Sequence, residues 1–596
     1  MLKLNYTRQD REELSRKISW GHWFAFFNII ISFIIGARYA FNSDWPDTLL
    51  GKIYFFISII GHFSFIVFAI YLLIIFPLSF VIKNHRTFRG ITVILATLCT
   101  TVLLLDSEIY KRFYIHLTSM VWDLMINPEN GELARNWQLF FAPMPIILLL
   151  QMLFSRWSWQ KLRSLERQKW IKPVSYTFLL AFIATHLIYV WADATFYRPI
   201  TAQRSNLPLS YPMTARKFLE KNGILDAESY QQQLTNTGRA DARYLDYPKH
   251  ELNYPQSQQQ PNILLINISG LKRSAISATT TPAIYQFAQQ SIDFQNNYSS
   301  SNLSQEGLVG LFYGLPGNYL DSILFSKTEP VLLHHLRNLE YRIHANTTKE
   351  NNQPLFSVLF NKKEQSVAEN NKTAFQQWQQ WYQKQAQQAW FSFIDVSLTA
   401  INNPINATKA AVSDTVSPYQ YAERLIEIDQ QFSDLINLLK QQQQFDDTII
   451  IVTADSGFSE AHQNDLSDFS DFSADNIQVP LLVHMPTSGT AQRFDLSSTL
   501  DIVPTLLKHI FLVSNPVADF ALGNNLFAIN HSPDNWTLSA NNRWVVIIDS
   551  DGVQYQIDKY GNYKKFNAKY QQQNSTRPPL GLFLAAFGEL RSFSER

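Results

Sequence analysis

Five apolar stretches in the first third of the chain constrain the rest of it. They lie at 22–41, 54–80, 88–106, 137–156 and 174–192. Each approaches or exceeds the roughly 20 residues that a helix needs to cross the hydrocarbon core of a bilayer. The expected fold is therefore an α-helical membrane bundle of five spans over residues 1–192. The second stretch is long enough to tilt. The fourth carries Pro143 and Pro145, which predict a kink that neighbouring helices tolerate.

Charge sets the orientation. The tail 1–20 holds Lys3, Arg8, Arg11, Arg16 and Lys17; the loop 83–89 holds Lys83, Arg86 and Arg89; the loop 156–173 is rich in Lys and Arg. The other two connections hold few cations. The positive-inside rule puts the N-terminus in the cytoplasm, and an odd number of crossings puts everything after Asp193 outside it. In a Gram-negative cell that is the periplasm, with the chain in the inner membrane. The first stretch is too long for a signal core and reads as an uncleaved anchor. The segment 107–136 mixes aromatics and charges and suits an interfacial helix.

Arg38, His62 and His186 are polar residues within spans. Arg38 is placed to snorkel at the outer end of its helix. The two histidines suit helix–helix hydrogen bonding, with a proton relay as the functional alternative.

A net charge of +1 over 596 residues argues against nucleic acid as a partner. Cys99 is the only cysteine, so no intrachain disulfide forms. A domain over 246–596 has to be held by its own core, and it is long enough to build one.

Between bundle and domain lies a basic linker, 193–245. Its first part holds Arg198, Arg204, Arg216, Lys217 and Lys221 against Asp193 and Glu220. Cations on the outer face run against the usual bias, and an anionic lipid headgroup is one cause. Tyr211, Pro212, Met213, Thr214, Arg216, Lys217 and Phe218 are the expected lipid-binding residues. Pro212 suits a helix start and Thr214 its cap. Free N–H groups there would meet phosphate, with Arg216 bidentate and Lys217 a point charge. A solvated linker helix is the alternative.

From about 260 onward, strand and helix signals alternate. Core strands are read at PNILLINIS, FSFIDVSL, DTIIIVTAD and VPLLVHMP. Helices are read at 282–292, at EGLVGLFYGL, along YQYAERLIEIDQQFSDLINLLKQQQQ and at SSTLDIVPTLLKHI. That alternation predicts a mainly parallel sheet covered on both faces. Ligands in such folds sit past the C-terminal strand ends. The residues there are Ser269-Gly270, Asp455-Ser456-Gly457 and the loop from Asn302 to Glu306.

The series NILLINISG, SNLSQEGLVGLFYG, TIIIVTADSGF, IQVPLLVHMP and STLDIVPTLL resembles the sulfatase and alkaline-phosphatase-like superfamily over most of 260–515. Together with ISWGHWFAFFNIIISFIIGARY, IIGHFSFIVFAIYLLIIFPL and WADATFYRPITAQRSNLPLSYPMTARKFLEKNGILDA, the chain is similar to the YejM family of inner-membrane proteins, also called PbgA or LapC, from Ser19 to its end.

Active members of the superfamily use a divalent metal to activate a Thr, Ser or modified Cys. The resemblance puts Ser269 where those members carry the first acidic ligand. Asp455-Ser456 stands for an Asp-His pair, Asn476 for a later His, and Leu303 for the nucleophile, with Ser304 next to it. One carboxylate with a Ser and an Asn is a poor metal set, so the resemblance implies a pseudo-enzyme with neither metal nor cofactor. Asp455 is then a carboxylate that caps a loop. Two alternatives stay open: Ser304 as nucleophile, and Glu306, Asp455 and His462 as another metal set.

The family resemblance also implies a role. It is that of a regulator of lipopolysaccharide synthesis which senses lipopolysaccharide or lipid A at the periplasmic leaflet. It binds a LapB-like adaptor through its spans, restrains the FtsH protease and so protects LpxC. The alternatives are a cardiolipin-binding or cardiolipin-transporting protein and a metal-dependent phosphoethanolamine or phosphoglycerol transferase.

Overall fold

The computed structural model describes residues 8–43, 45–113, 116–118, 121–122, 141–255, 260–349, 351–384, 388–399, 416–459, 469–486, 488–528, 535–558, 561–573 and 579–594. Its membrane part consists of α1 (Arg8–Asn42), α2 (Leu49–Ile70), α3 (Phe76–Val81), α4 (His85–Phe113), α5 (Met144–Glu166) and α6 (Ile171–Ala194). A π-helical turn over Tyr71–Ile75 joins α2 to α3 without a break. Pro77 stands just beyond it. Its ring supplies no N–H to the preceding turn, and the widened turn is how a helix accommodates that loss.

Side-chain contacts fix the directions of the helices. The ring of His85, where α4 begins, lies 3.2 Å from Glu13 near the start of α1. At the far ends of the same two helices Arg38 pairs with Glu108, so α1 and α4 run parallel. The buried indole of Trp20 donates to the carbonyl of Ser155 at 3.2 Å and the hydroxyl of Ser158 at 2.9 Å. Deeper in the bundle, the amides of Asn28 and Gln151 pair at 2.6 and 3.3 Å. Thus α5 runs back against α1. Near the middle of α2, a Cβ built on Gly61 would lie 2.8 Å from the backbone of Phe182 in α6. Tyr197, just past α6, donates to Thr48 at the head of α2 at 2.9 Å, so these two helices are antiparallel and meet backbone to backbone. The chain crosses the bundle in alternating directions, and its outer surface carries exposed apolar residues such as Leu73, Ile94, Leu149 and Leu187.

Among the described residues, four segments are long and apolar enough to cross a membrane: Arg11–Asn42, Leu49–Val81, His85–Lys111 and Ile171–Ala194. The expected span over 137–156 is described only in part. Residues 137–140 lie outside the described residues, and the helix runs from Met144 to Glu166. Its apolar part stops at Phe154, and Arg156, Lys161 and Arg163 follow. The expected kink is absent because Pro143 caps this helix and Pro145 sits in its first turn, where a missing N–H costs nothing. Of the expected interfacial segment, α4 absorbs the start, to Phe113; 123–136 lie outside the described residues. Arg38, expected to snorkel, pairs with Glu108.

After the bundle the linker makes a helical turn over Arg198–Thr201 and a 3-10 turn over Ala202–Asn206, and then the short helices α7 (Arg216–Lys221) and α8 (Ala227–Thr237). The outer domain has an eight-stranded sheet of β1 (Asn262–Ser269), β2 (Ile292–Tyr298), β3 (Arg342–Thr348), β4 (Gln365–Ala368), β5 (Trp390–Ser397), β6 (Thr448–Thr453), β7 (Leu481–His484) and β8 (Ala491–Ser498). Their spatial order is β4-β3-β5-β1-β6-β7-β2-β8. All neighbouring pairs are parallel except those of β7, which is antiparallel to both β6 and β2. Strands β1, β5 and β6 are buried along almost their whole length, as expected for a sheet covered on both faces.

One face is covered by α9 (Ser304–Tyr313) with Leu308, Phe312, Leu332 and Phe356. The other is covered by α10 (Pro418–Gln441), whose Leu425, Ile428, Phe432, Leu435 and Leu439 are buried. Ser417 and Gln420 form a capping box at the start of α10. The predicted helix SSTLDIVPTLLKHI is a chain of short 3-10, α and π turns led by Ser498. A second, antiparallel sheet follows, of β9 (Trp536–Ala540), β10 (Trp544–Asp549), β11 (Gln554–Asp558), β12 (Tyr563–Phe566) and β13 (Gln572–Gln573), in the order β13-β12-β11-β10-β9. The helix α11 (Leu580–Glu589) packs on it through Phe583 and Ala586.

Candidate functional site: the sheet edge and the mouth of the bundle

Two places bring the sequence-selected residues together. The first is the C-terminal edge of the main sheet. Asn267 near the end of β1, Asp395 in β5 and Asp455 just past β6 lie side by side, all buried. The Asn267 amide donates to Asp395 at 2.8 Å and to Asp455 at 3.0 Å. Its carbonyl accepts the backbone N–H of Asp455 at 2.7 Å. The hydroxyl of Ser304, first residue of α9, donates to Asp455 at 2.6 Å, and Ser456 donates to the other carboxylate oxygen at 3.2 Å. Ser269 donates to Ser304 at 3.2 Å. Asp395 accepts from Thr347 at 2.8 Å and from Asn351 at 2.9 Å. The helix approaches this closely because residue 307 is glycine: a Cβ there would lie 2.1 Å from the carbonyl oxygen of Asp455.

Burial dominates the electrostatics. It pushes the Asp395 carboxyl up to about 8, helped by the neighbouring charge of Asp455. It raises Asp455 as well, against the hydrogen bonds from Ser304 and Asn267. Glu306 is pushed up to about 8 by burial, but it faces Ser301, which donates to it at 3.1 Å. It does not join Asp455. His462 lies outside the described residues. Asn476 is turned away, its amide donating to the carbonyl of Asp471 at 2.8 Å. Leu303 is the residue preceding α9 and supplies no side-chain cap.

Among the described residues, this donor set does not fit a divalent metal. Asp455 is its single carboxylate at the Ser269, Ser456 and Asn476 positions. Both of its oxygens are already taken by hydrogen-bond donors, where a metal site needs about three free ligands. Asp455 closes more than the turn before Gly457: it ties β1, β6 and the head of α9 together. Asn267 and Asp395 were not among the residues selected from sequence. The signal was available, since each is a polar residue inside an otherwise apolar strand.

The second place is the mouth of the bundle. Arg216 makes a two-pronged ion pair with Asp193 at the end of α6, at 2.7 and 2.6 Å. It lies 5.1 Å from the Tyr230 ring centroid. Hydrogen bonding to Asp193 raises its pKa above the usual guanidinium value. Arg204 and Arg239 share Asp241 at 2.9 and 3.1 Å. Arg198 is buried, sits 3.6 Å over the Phe325 ring and donates to the carbonyls of Arg239 and Asp321 at 3.3 and 3.2 Å. The linker arginines are therefore structural ties between bundle, linker and domain.

Lys217 and Lys221 of α7 remain exposed, together with Tyr211, Met213 and Phe218 and the flanking Leu209 and Ile224. The expected cap is corrected: α7 starts after Ala215, Thr214 makes no capping bond, and Pro212 lies in the irregular stretch before it. With six residues, α7 has too few aligned peptides to offer a phosphate a helix terminus. Of the intramembrane histidines, His62 donates to the carbonyl of Pro208 at 2.7 Å, and His186 lies against Phe182.

Comparison with known proteins gives a coherent result. A family described only as a domain of unknown function, DUF3413, matches residues 7–254, and the sulfatase family matches residues 261–510. A protein of Haemophilus influenzae named only as uncharacterized is 50% identical over 594 residues, covering 98% of this chain and 97% of its own. The inner membrane protein YejM of Salmonella typhimurium is 39% identical over 600 residues, covering 99% of each. A solved structure of an alkaline phosphatase superfamily protein from Vibrio parahaemolyticus is 13% identical with a TM-score of 0.45, covering 62% of this chain and 98% of that one.

Proposed function

Since this chain belongs to the family of the inner membrane protein YejM, we propose that it is a non-catalytic regulator of lipopolysaccharide synthesis. On this reading it senses lipopolysaccharide or lipid A at the outer leaflet of the inner membrane and acts through a LapB-like adaptor on FtsH and LpxC. The observation that carries the reading is the mouth of the bundle. Exposed Tyr211, Met213 and Phe218 stand beside the lysines of α7, an apolar-and-cationic surface suited to a phosphorylated lipid.

The pairing of Arg216 with Asp193 supplies a mechanism. A lipid phosphate competes with the Asp193 carboxylate for the guanidinium. Asp193 is nearly inaccessible, with only 4% of its side chain exposed, so losing its partner is costly unless the end of α6 rearranges. Lipid binding and the position of α6 are thereby coupled, and the lipid acts by favouring one arrangement over the other.

The orientation, N-terminus cytoplasmic and domain periplasmic, is supported by the gathering of cations at one end of the bundle. Arg16 and Arg89 both lie over Trp159, at 4.8 and 5.2 Å. The non-catalytic reading is supported by the self-satisfied network around Asp455.

The test is a paired measurement on the full chain. Replacing Arg216 and Lys217 together by Glu is expected to lower copurified lipopolysaccharide about tenfold, as loss of charge-assisted bonds predicts, and to raise LpxC in cells. Unchanged lipopolysaccharide would remove this segment from the account. Equilibration of purified protein with Zn²⁺ or Mn²⁺ is expected to leave no stoichiometric ion bound. A tightly held ion accompanied by ester hydrolysis would restore the transferase reading.

A further inference from the structure

A cavity of about 1260 Å³ lies between the bundle and the outer domain. Its deep end is walled by α1, α2 and α4, with Ala25, Ile66, Ile70, Ala96, Cys99 and Leu103 among the lining residues. From Leu95 to Asp106 the α4 wall rises about 17 Å at 1.5 Å per residue, close to half of a hydrocarbon core about 30 Å thick. The cavity is thus one leaflet deep. Its upper end leaves the bundle and is bounded by the 204–211 loop and by Asn318, Asn542 and Arg591 of the domain.

Those three domain residues share a property. The Nη1 of Arg591 and the amide oxygens of Asn318 and Asn542 are buried, and none has a hydrogen-bond partner among the described residues. No ion-pair partner of Arg591 occurs among the described residues either. Its charged neighbour is another cation, Arg243, which with burial pushes the Arg591 pKa well down. A buried guanidinium nitrogen without an acceptor is expensive, and so are buried carbonyl oxygens without a donor. The chamber therefore asks for one group that is anionic and another that donates hydrogen bonds, joined to an apolar tail one leaflet long.

We infer that this cavity holds one glycerophospholipid of the surrounding bilayer, with an acyl chain between α1, α2 and α4, its phosphate on Arg591, and the ammonium or hydroxyl of its headgroup on Asn318 and Asn542. The site is internal and goes beyond the proposed sensing surface. It shares Tyr211 with that surface and is also lined by Arg204, Arg239 and Asp241, which are tied to one another, and it stands whether or not the lysines of α7 meet lipid. Its position makes the lipid a wedge shared by bundle and domain.

The experiment is native mass spectrometry of the full chain in mild detergent. Protein is measured as purified, then after delipidation and reloading with phosphatidylethanolamine or phosphatidylglycerol. One phospholipid-mass adduct is expected on the native protein. Arg591→Gln at the head end and Ala96→Phe at the tail end are each expected to lower its occupancy about tenfold, the size of one charge-assisted hydrogen bond. Lys362→Glu, at an exposed domain cation outside the cavity, is expected to leave occupancy unchanged.

Cys99, the single cysteine of the chain, lies in the cavity wall and reports without any substitution. Its alkylation by a small maleimide is expected to be faster in delipidated protein than in reloaded protein. An adduct of detergent or lipopolysaccharide alone, equal occupancy in all variants, or equal alkylation rates would overturn the proposal. If Arg591→Gln fails to fold, Ala96→Phe and the alkylation rates decide.

Discussion

The C-terminal edge of the main sheet and the mouth of the bundle both gather polar side chains around a carboxylate, and they do so to opposite ends. At the sheet edge, Asp455 is met by Asn267, Ser304 and Ser456, and Asp395 by Asn267, Thr347 and Asn351. The partners come from neighbouring strands, from the head of α9 and from the loops at that same edge. At the mouth, Asp193 is met by one arginine whose side chain remains 43% exposed, with lysines and apolar side chains facing outward beside it. A closed network gives rigidity and leaves no valence for a ligand. A half-open ion pair stores an interaction that a competing anion can take over.

The largest effect expected from this contrast is at Gly307. An added methyl would collide with the Asp455 backbone, pushing α9 off the sheet. Gly307→Ala is expected to cost about 3 kcal/mol or more, at the upper end for overpacking, read as a lowered denaturation midpoint of the full chain in detergent. A near-neutral result would mean that the sheet edge is looser than its hydrogen bonds suggest.

Next is the open pair. Arg216→Ala leaves a buried carboxylate unanswered and is expected to cost about 1–3 kcal/mol. Asp193→Asn, which keeps one acceptor, is expected to cost less. Equal costs would place the pair among weak surface bridges.

A smaller effect is the dependence on pH. In the folded chain the Asp395 and Glu306 carboxyls are raised to about 8, whereas unfolded they titrate near about 4. The folded state keeps protons that the unfolded state has released, so this contribution is present below about pH 4 and fades as pH rises toward about 8. The denaturation midpoint is expected to be higher at pH 5 than at pH 8, and Asp395→Asn is expected to narrow the gap. The smallest effect is functional. Asp455→Asn is expected to leave LpxC levels unchanged in cells, and a fall or rise with the protein still folded would sharpen the case for chemistry at the sheet edge.

How much of this was legible in the sequence depended on whether a signal was local. The apolar stretches were, because a bilayer demands length and composition from contiguous residues, and four of the five reappear as helices fit to span. The fourth stretch is described only from residue 141 on, and its prolines, read as kinking a helix, stand at the start of the described one. The buried strands β1, β5 and β6 were visible as apolar runs. Strands such as β2, with its IDFQNNY sequence, and β8, exposed over its first half, carry no such run. The five-stranded antiparallel sheet also went unread, although its β10 does carry an apolar run, WVVII. The site residues were legible one by one, and their pairings were not. Arg204 and Arg216 looked like a free basic patch, yet Asp241 and Asp193 neutralise them across the fold. Asn267 and Asp395 acquire meaning only when three strands are laid side by side.

Gly61 has a mechanical consequence. With no side chain between them at that point, α2 and α6 meet backbone to backbone, and so close a contact is expected to couple them as one rod. Asp193 sits at one tip of that rod and Pro173 near the other. A tug on the carboxylate is therefore delivered across the full thickness of the membrane with little lost to bending, and a residue with a side chain at 61 would slacken the transmission before it disturbed either end.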